Sequence, residues 1–111
     1  MISKISDLKS FEKEVVKSSG LTLVEFATEW SGSSQMVTPI FTDLATRFSK
    51  DAKFCLVTLD ENTELETEFS YLEVPSILFF INGHVVDQIK GSASKQKITD
   101  KIETLLQTSF N

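Results

Sequence analysis

Two short apolar runs constrain the fold of this chain more than any other feature. Leu21–Ala27 reads L-T-L-V-E-F-A, and residues 54–59 read F-C-L-V-T-L. Neither run alternates apolar with polar residues, which is typical of strands buried on both faces. Such strands need helices on both sides, so the two runs predict a central sheet that is covered on each face.

Helical patterns alternate with these strands. Apolar residues recur at helical spacing in residues 8–15, 36–48 and 98–106, and the second of these segments contains Pro39. Thr63 and Glu66 have the spacing of a capping box, which predicts a short acidic helix ending near Tyr71.

The second half of the sheet is predicted from a turn motif. Residues 76–81 and 85–89 are β-rich and are separated by Asn82-Gly83, a strong signal for a type I′ hairpin. With a short strand at Ile2, the predicted order is β-α-β-α-β-α-β-β-α. That order indicates an α/β fold, a three-layer α/β/α arrangement with a mixed central sheet, in one domain over residues 1–111.

Charge and composition exclude several classes of partner. The net charge is −5 and the basic residues are scattered, so we expect no nucleic-acid partner. We expect no membrane partner either, since no run approaches the apolar length of a membrane helix, and the first residues lack the apolar region of a signal peptide. A cytoplasmic location is the resulting expectation. The chain has one cysteine, Cys55, and one histidine, His84, so we expect no metal site and no cofactor.

Several motifs, in the same order and spacing, resemble the thioredoxin family over essentially the whole chain. The segment V-E-F-A-T-E-W ending at Trp30 is similar to the family's strand before its active site, and Asn82-Gly83 and Lys90-Gly91 are similar to its hairpin turn and the glycine after its last strand. Q-M-V-T-P, ending at Pro39, is similar to K-M-I-A-P. Val74-Pro75-Ser76 resembles the I-P-T whose proline is cis. Ser31-Gly32-Ser33-Ser34 stands where the family has Cys-Gly-Pro-Cys.

This resemblance implies catalytic positions at Ser31 and Ser34, both of which lack the thiol that the chemistry needs. A thiolate attacks a substrate disulfide and a second cysteine resolves the mixed disulfide, and a serine hydroxyl performs neither step. The resemblance also assigns Glu25 to the family's buried acid, while its partner lysine is Leu56 here. We therefore expect Glu25 to be buried with a raised pKa. Cys55, in the middle of a strand, is interpreted as a core residue.

Ser31 has no general base if this fold is correct. A serine nucleophile needs a base within hydrogen-bond reach, and the topology places His84 at the opposite pole of the sheet. Ser31 or Ser34 is instead expected to cap the following helix.

Two functions remain open from the sequence. The first is a non-catalytic module that binds protein or an extended peptide; the resemblance assigns this surface to Trp30, Gly32, Ser33, Val74, Pro75 and Gly91. The second is a protein-disulfide oxidoreductase in which both active-site cysteines have been replaced by serine. The encoding gene distinguishes them, because cysteine codons at both positions would identify the second.

Overall fold

A computed structural model describes residues 2–109 of the chain. Its elements follow the predicted order. The strands are β1 (Ile2–Ile5), β2 (Leu21–Ala27), β3 (Ala52–Thr58), β4 (Ser76–Ile81) and β5 (His84–Lys90). The helices are α1 (Leu8–Phe11), α2 (Gly32–Arg47), α3 (Thr63–Glu68) and α4 (Lys95–Ser109).

The strands form one mixed sheet in the order β1-β3-β2-β4-β5. β1, β3 and β2 are parallel, β4 is antiparallel to β2, and β5 is antiparallel to β4. Asn82 and Gly83 both have positive φ, +50° and +81°, which confirms the predicted hairpin turn. Gly83 also lies against another segment, because a Cβ there would come within 2.1 Å of the Val16 carbonyl oxygen.

Each face of the sheet is covered by two helices, which confirms the three-layer α/β/α fold. Alternate residues of β2 point to opposite faces, so Leu23 packs with α2 and α4 while Phe26 packs with α1 and α3. The core below α2 includes Phe41 and Phe54, whose ring centroids are 5.2 Å apart. The opposite core holds Phe26 against Phe69 at 4.7 Å.

Four local expectations were wrong in detail. Asn62, not Thr63, caps α3, because its side-chain oxygen accepts a hydrogen bond from the Leu65 N–H at 2.9 Å. That helix ends at Glu68, before Tyr71. β3 ends at Thr58, and Leu59 begins a 3-10 turn. Leu56, in the middle of β3, is only half-buried, so this strand is not covered throughout on its α2 side.

The first helix also departs from a regular α-helix. After Phe11 the chain continues as a π-helical turn, Glu12–Val16, closed by a hydrogen bond from the Lys17 N–H to the Glu12 carbonyl at 2.9 Å. Phe11 and Val15 are still buried in the core on this side of the sheet. The apolar spacing therefore predicted the buried face correctly, although the hydrogen-bond pattern differs.

Candidate functional site

The candidate site lies where β2 ends and α2 begins. Ala27 ends the strand, and Ser31 is the N-cap of α2. The Ser31 hydroxyl oxygen accepts a hydrogen bond from the Ser34 N–H at 3.1 Å, which confirms that this serine caps the helix. Gly32 and Ser33 follow in the first turn of α2 and are exposed.

Ser34 has a second structural contact. Its side chain is 1% exposed, and its hydroxyl oxygen accepts a hydrogen bond from the Thr28 N–H at 3.3 Å. The two serines therefore hold the loop and the first helical turn together. Neither has a histidine base. His84 pairs with Ile81 at the far end of β4, whereas Ser76 at the near end pairs with Phe26.

Glu25 is fully buried beneath α2, as expected. Its Oε2 accepts a hydrogen bond of 2.7 Å from the Thr38 hydroxyl, while its Oε1 has no hydrogen-bond partner within residues 2–109. Burial raises the pKa of Glu25 to about 7, and the bond from Thr38 opposes part of that rise. Leu56 is its register partner on β3, so the neighbouring strand offers an apolar side chain here.

The second half of the site is the turn before β4. The Val74–Pro75 peptide bond is cis, and the Pro75 carbonyl accepts a hydrogen bond from the Gly91 N–H at 2.7 Å. This bond joins the start of β4 to the end of β5. Because Ser76 pairs with Phe26, the turn lies at the same end of the sheet as Trp30. Trp30 is 89% exposed.

A cluster of carboxyl groups beside this site was not predicted. The Asp60 carboxylate accepts hydrogen bonds from the Glu29 N–H at 3.0 and 3.3 Å. Glu61 raises the pKa of Glu29, first through a shared hydrogen bond and then through like-charge repulsion, to which Asp60 adds. The signal was present in the sequence: Glu29 and Asp60 each lie two residues beyond the end of neighbouring parallel strands.

A cavity between β3 and the first turns of α2 was also missed. It has a volume of about 570 Å³, and its walls include Ala27, Thr38, Pro39 and Leu56. Ser34 and Glu29 line it as well. Leu56 is half-buried, and its side chain lines this cavity together with Thr38 and Pro39 of α2.

Cys55 takes no part in the site. Its side chain belongs to the core on the α1 and α3 face, opposite the face that carries Glu25. Burial raises the pKa of its thiol to about 11, so the thiolate is scarce at neutral pH.

Comparison with known proteins gives the family. The model of the thioredoxin family matches residues 3–104. The chain belongs to the thioredoxin family. A thioredoxin of Rickettsia bellii is 32% identical over 102 residues, which cover 92% of this chain and 96% of that protein. Thioredoxin 1 of Synechococcus elongatus is 29% identical over 94 residues, 85% of this chain and 88% of that protein. Thioredoxin Asp f 29 of Aspergillus fumigatus is 32% identical over 92 residues, which cover 82% of this chain and 84% of that protein.

Family membership makes the number and the place of the chain's cysteines informative about its chemistry. The chain's one cysteine, Cys55, lies in the core and away from Ser31 and Ser34, which is consistent with loss of the family's active-site pair of cysteines. Among residues 2–109 no group of three His, Cys, Asp or Glu side chains is arranged to hold a metal ion. No helix in the same range is long and apolar enough to cross a membrane.

Proposed function

We propose that this protein is a redox-inactive member of the thioredoxin family that binds an extended segment of another protein. The contact surface, called here the Trp30 surface, consists of Trp30, Gly32, Ser33, Val74, Pro75 and Gly91. The observation that carries the proposal is an indole 89% exposed at an end of the sheet where serine replaces both thiols.

The loss of redox activity follows from the chemistry of the two serines. A serine hydroxyl is hardly ionised at neutral pH, and oxygen forms no stable counterpart of a disulfide. The Ser31 and Ser34 hydroxyl oxygens instead accept hydrogen bonds that hold the loop. They therefore give the site structural order without a nucleophile.

Peptide binding is supported by the exposed apolar side chains and by the free end of a strand. Trp30 and Met36, exposed by 89% and 70%, flank the start of α2. Large exposed aromatic side chains are frequent anchors of protein interfaces. β4 begins at Ser76, so the Val74 backbone lies just outside the ladder, where an extended peptide can add by main-chain hydrogen bonds.

The binding test uses the chain's single tryptophan as its probe. A random peptide library is panned against the protein, with Trp30→Ala as the counter-selection, and the enriched peptides are titrated by tryptophan fluorescence. We expect saturable spectral shifts and loss of binding in Trp30→Ala. Met36→Ala tests the second exposed side chain, and Val16→Ala, exposed beside the Asn82-Gly83 turn at the other end of the sheet, serves as the matched control. Peptides that bind Trp30→Ala as tightly as the parent protein would contradict the proposal.

The redox test is separate. The protein should not accelerate insulin reduction by dithiothreitol, whereas Ser31→Cys combined with Ser34→Cys should give weak activity, because the pair then lies at a helix N-terminus that lowers a thiol pKa. Activity in the parent protein would overturn the redox-inactive assignment. An inactive but folded double variant would show that Glu25 and Leu56 limit the chemistry.

The second candidate function is a thiol-disulfide oxidoreductase in which both cysteines have been replaced by serine. The position of Ser31 at the N-terminus of α2 favours it, since that is where a reactive thiol gains most from the helix dipole. Cysteine codons in the gene would establish it.

A cytoplasmic location completes the proposal. The fold depends on no disulfide, because Cys55 is buried and unpaired, and this suits a reducing compartment. Fractionation of the source cells with an antibody against the protein tests it.

A further inference from the structure

β5 forms one edge of the sheet, and its outer side is unpaired. It is the last strand in the order β1-β3-β2-β4-β5, so within residues 2–109 no strand lies beyond it. β5 is seven residues long, whereas β1 at the other edge has four. A long edge strand can add a strand from another chain, and proteins prevent this with charged side chains and β-bulges. β5 contains both devices.

The hydrogen bonds to β4 show which backbone groups of β5 point outward. The Gly91 N–H donates to the Pro75 carbonyl oxygen at 2.7 Å. Because inward- and outward-pointing residues alternate along an antiparallel strand, the N–H and C=O groups of Gln88 and Lys90 face away from β4. Nearer the hairpin turn the register shifts by one residue, and Val86 has no partner of its own on β4.

Asp87 closes this edge near its centre. Its Oδ1 accepts a hydrogen bond of 2.7 Å from the Gln88 N–H, which is one of the outward-facing donors. Its Oδ2 accepts a hydrogen bond of 2.9 Å from the Lys101 ammonium on α4. The bond from Lys101 also lowers the pKa of Asp87, so the group is a carboxylate at neutral pH. A strand that pairs with β5 must therefore displace this carboxylate from the Gln88 N–H.

The surface beside the edge is apolar. Tyr71, Leu72 and Val85 line a groove of about 380 Å³ along β5, together with Gln88 and Lys90. Tyr71 is 74% exposed and Val85 is 55% exposed. A second strand on this edge would cover part of these side chains, and the removal of apolar area from water favours association.

We infer that the β5 edge is a pairing surface for a second copy of this chain, which the bond between Asp87 and the Gln88 N–H keeps closed. The two β5 strands would pair antiparallel about a two-fold axis at Gln88, with each Gln88 N–H donating to the Gln88 carbonyl oxygen of the other copy. In this register Asp87 lies opposite Ile89, and Lys90 lies opposite Val86, so no two like charges face each other directly. Pairing at this edge needs no peptide at the Trp30 surface.

The main experiment compares Asp87→Ala with the parent protein by sedimentation equilibrium at several protein concentrations. Asp87→Ala removes the acceptor from the Gln88 N–H in both copies and should raise the dimer association constant about tenfold or more. Asp43→Ala is the matched control, since it also removes a carboxylate that pairs with a lysine, Lys95 at 3.0 Å, but it lies on α2. The control should stay as monomeric as the parent.

Asp87→Asn separates the hydrogen bond from the charge. Asparagine keeps a side-chain oxygen that can accept from the Gln88 N–H, but it carries no charge. Its self-association should therefore stay close to that of the parent. If Asp87→Asn dimerises as strongly as Asp87→Ala, charge repulsion rather than the bonded N–H prevents association, and the inference is overturned.

A second pair of variants tests where the two copies meet. In the Asp87→Ala background, Gln88→Pro removes the outward N–H without removing a donor to β4, and it should abolish dimerisation. Gln88→Ala keeps that N–H and should not. Amide hydrogen exchange gives an independent readout, because the Gln88 and Lys90 N–H groups of Asp87→Ala should become more protected as the protein concentration rises.

Several outcomes would overturn the inference. They are a folded Asp87→Ala that stays monomeric, dimers that survive Gln88→Pro, and equal dimerisation of Asp43→Ala. Dimers of the parent protein with a protected Gln88 N–H would show that Asp87 does not close the edge. If Asp87→Ala does not fold, Asp87→Val takes its place, since valine suits a strand better. Peptide affinity at the Trp30 surface, read by fluorescence, is the test of the proposed function alone.

Discussion

Glu25 and Phe26 are adjacent in β2 and have opposite surroundings. Phe26 points toward α1 and α3, where its ring lies 6.3 Å from that of Phe11 and 4.7 Å from that of Phe69. Glu25 points toward α2, where it contacts a hydroxyl group and lies behind a cavity. Phe26 is therefore packed for stability, while Glu25 places a polar group that folding does not favour on a face that is otherwise apolar core.

The difference indicates where the site can change without loss of the fold. Tightly packed aromatic rings lose stability with any change of shape. A buried carboxyl group with an unpartnered oxygen lowers the stability of the folded state when it ionises. We therefore expect substitutions of Phe26 and of Glu25 to change the free energy of unfolding in opposite directions.

The largest effect is expected for Phe26→Ala. Removal of the ring leaves a cavity beside Phe11 and Phe69 and should lower the free energy of unfolding by about 3–5 kcal/mol, measured by urea denaturation. Phe26→Leu keeps much of the side-chain volume and should lower the free energy of unfolding by less. A loss below about 1 kcal/mol for Phe26→Ala would show that the aromatic face can repack, and the contrast with Glu25 would fail.

The second prediction concerns Glu25 and pH. Its pKa rises from 4.5 to about 7 on folding, so its contribution to stability is fully present below pH 4.5 and is lost as the pH rises through about 7. The shift corresponds to a loss of about 3 kcal/mol across that range. Glu25→Gln should remove this part of the pH dependence and be the more stable protein at about pH 8.

Urea denaturation of the parent protein and Glu25→Gln at several pH values measures the difference directly. Subtraction cancels the other titrating groups, and Glu64→Gln on the exposed side of α3 controls for the change of charge. Parallel pH profiles for the parent and Glu25→Gln would mean that the carboxyl group is hydrated in solution and that the two faces of β2 differ less than their contacts indicate.

The sequence was sufficient for those features that depend on local pattern. The apolar run at Leu21–Ala27 specified a strand buried on both faces, and Asn82-Gly83 specified the hairpin turn because both residues need positive φ. The burial of Glu25 and its raised pKa followed from its place in that strand. The functional roles of the serines and of the Trp30 surface stay predictions.

Other features depend on contacts between distant segments and do not follow from the residue pattern of any one segment. The cavity is lined by Ala27 of β2, Leu56 of β3 and Pro39 of α2, so it depends on how the helix lies on the sheet. The contact of Asp60 with the Glu29 N–H requires β2 and β3 to end side by side. At α3, two adjacent residues both suit an N-cap, and the bond to the Leu65 N–H favours Asn62 over Thr63.

The smallest effect is expected for Ser31→Ala. This variant measures how much the hydrogen bond of the N-cap of α2 contributes to folding. The variant removes the hydrogen bond from the Ser34 N–H to the N-cap hydroxyl and should lower the free energy of unfolding by about 1 kcal/mol. Ser31→Asp restores an acceptor at a helix N-terminus, where negative charge is favourable, and should recover the loss. Ser33→Ala, exposed in the same turn, is the matched control and should change stability by less than about 0.5 kcal/mol. If Ser31→Ala is as stable as Ser33→Ala, the cap does not hold the loop, and the hydrogen bond from the Thr28 N–H to the Ser34 hydroxyl must hold it instead.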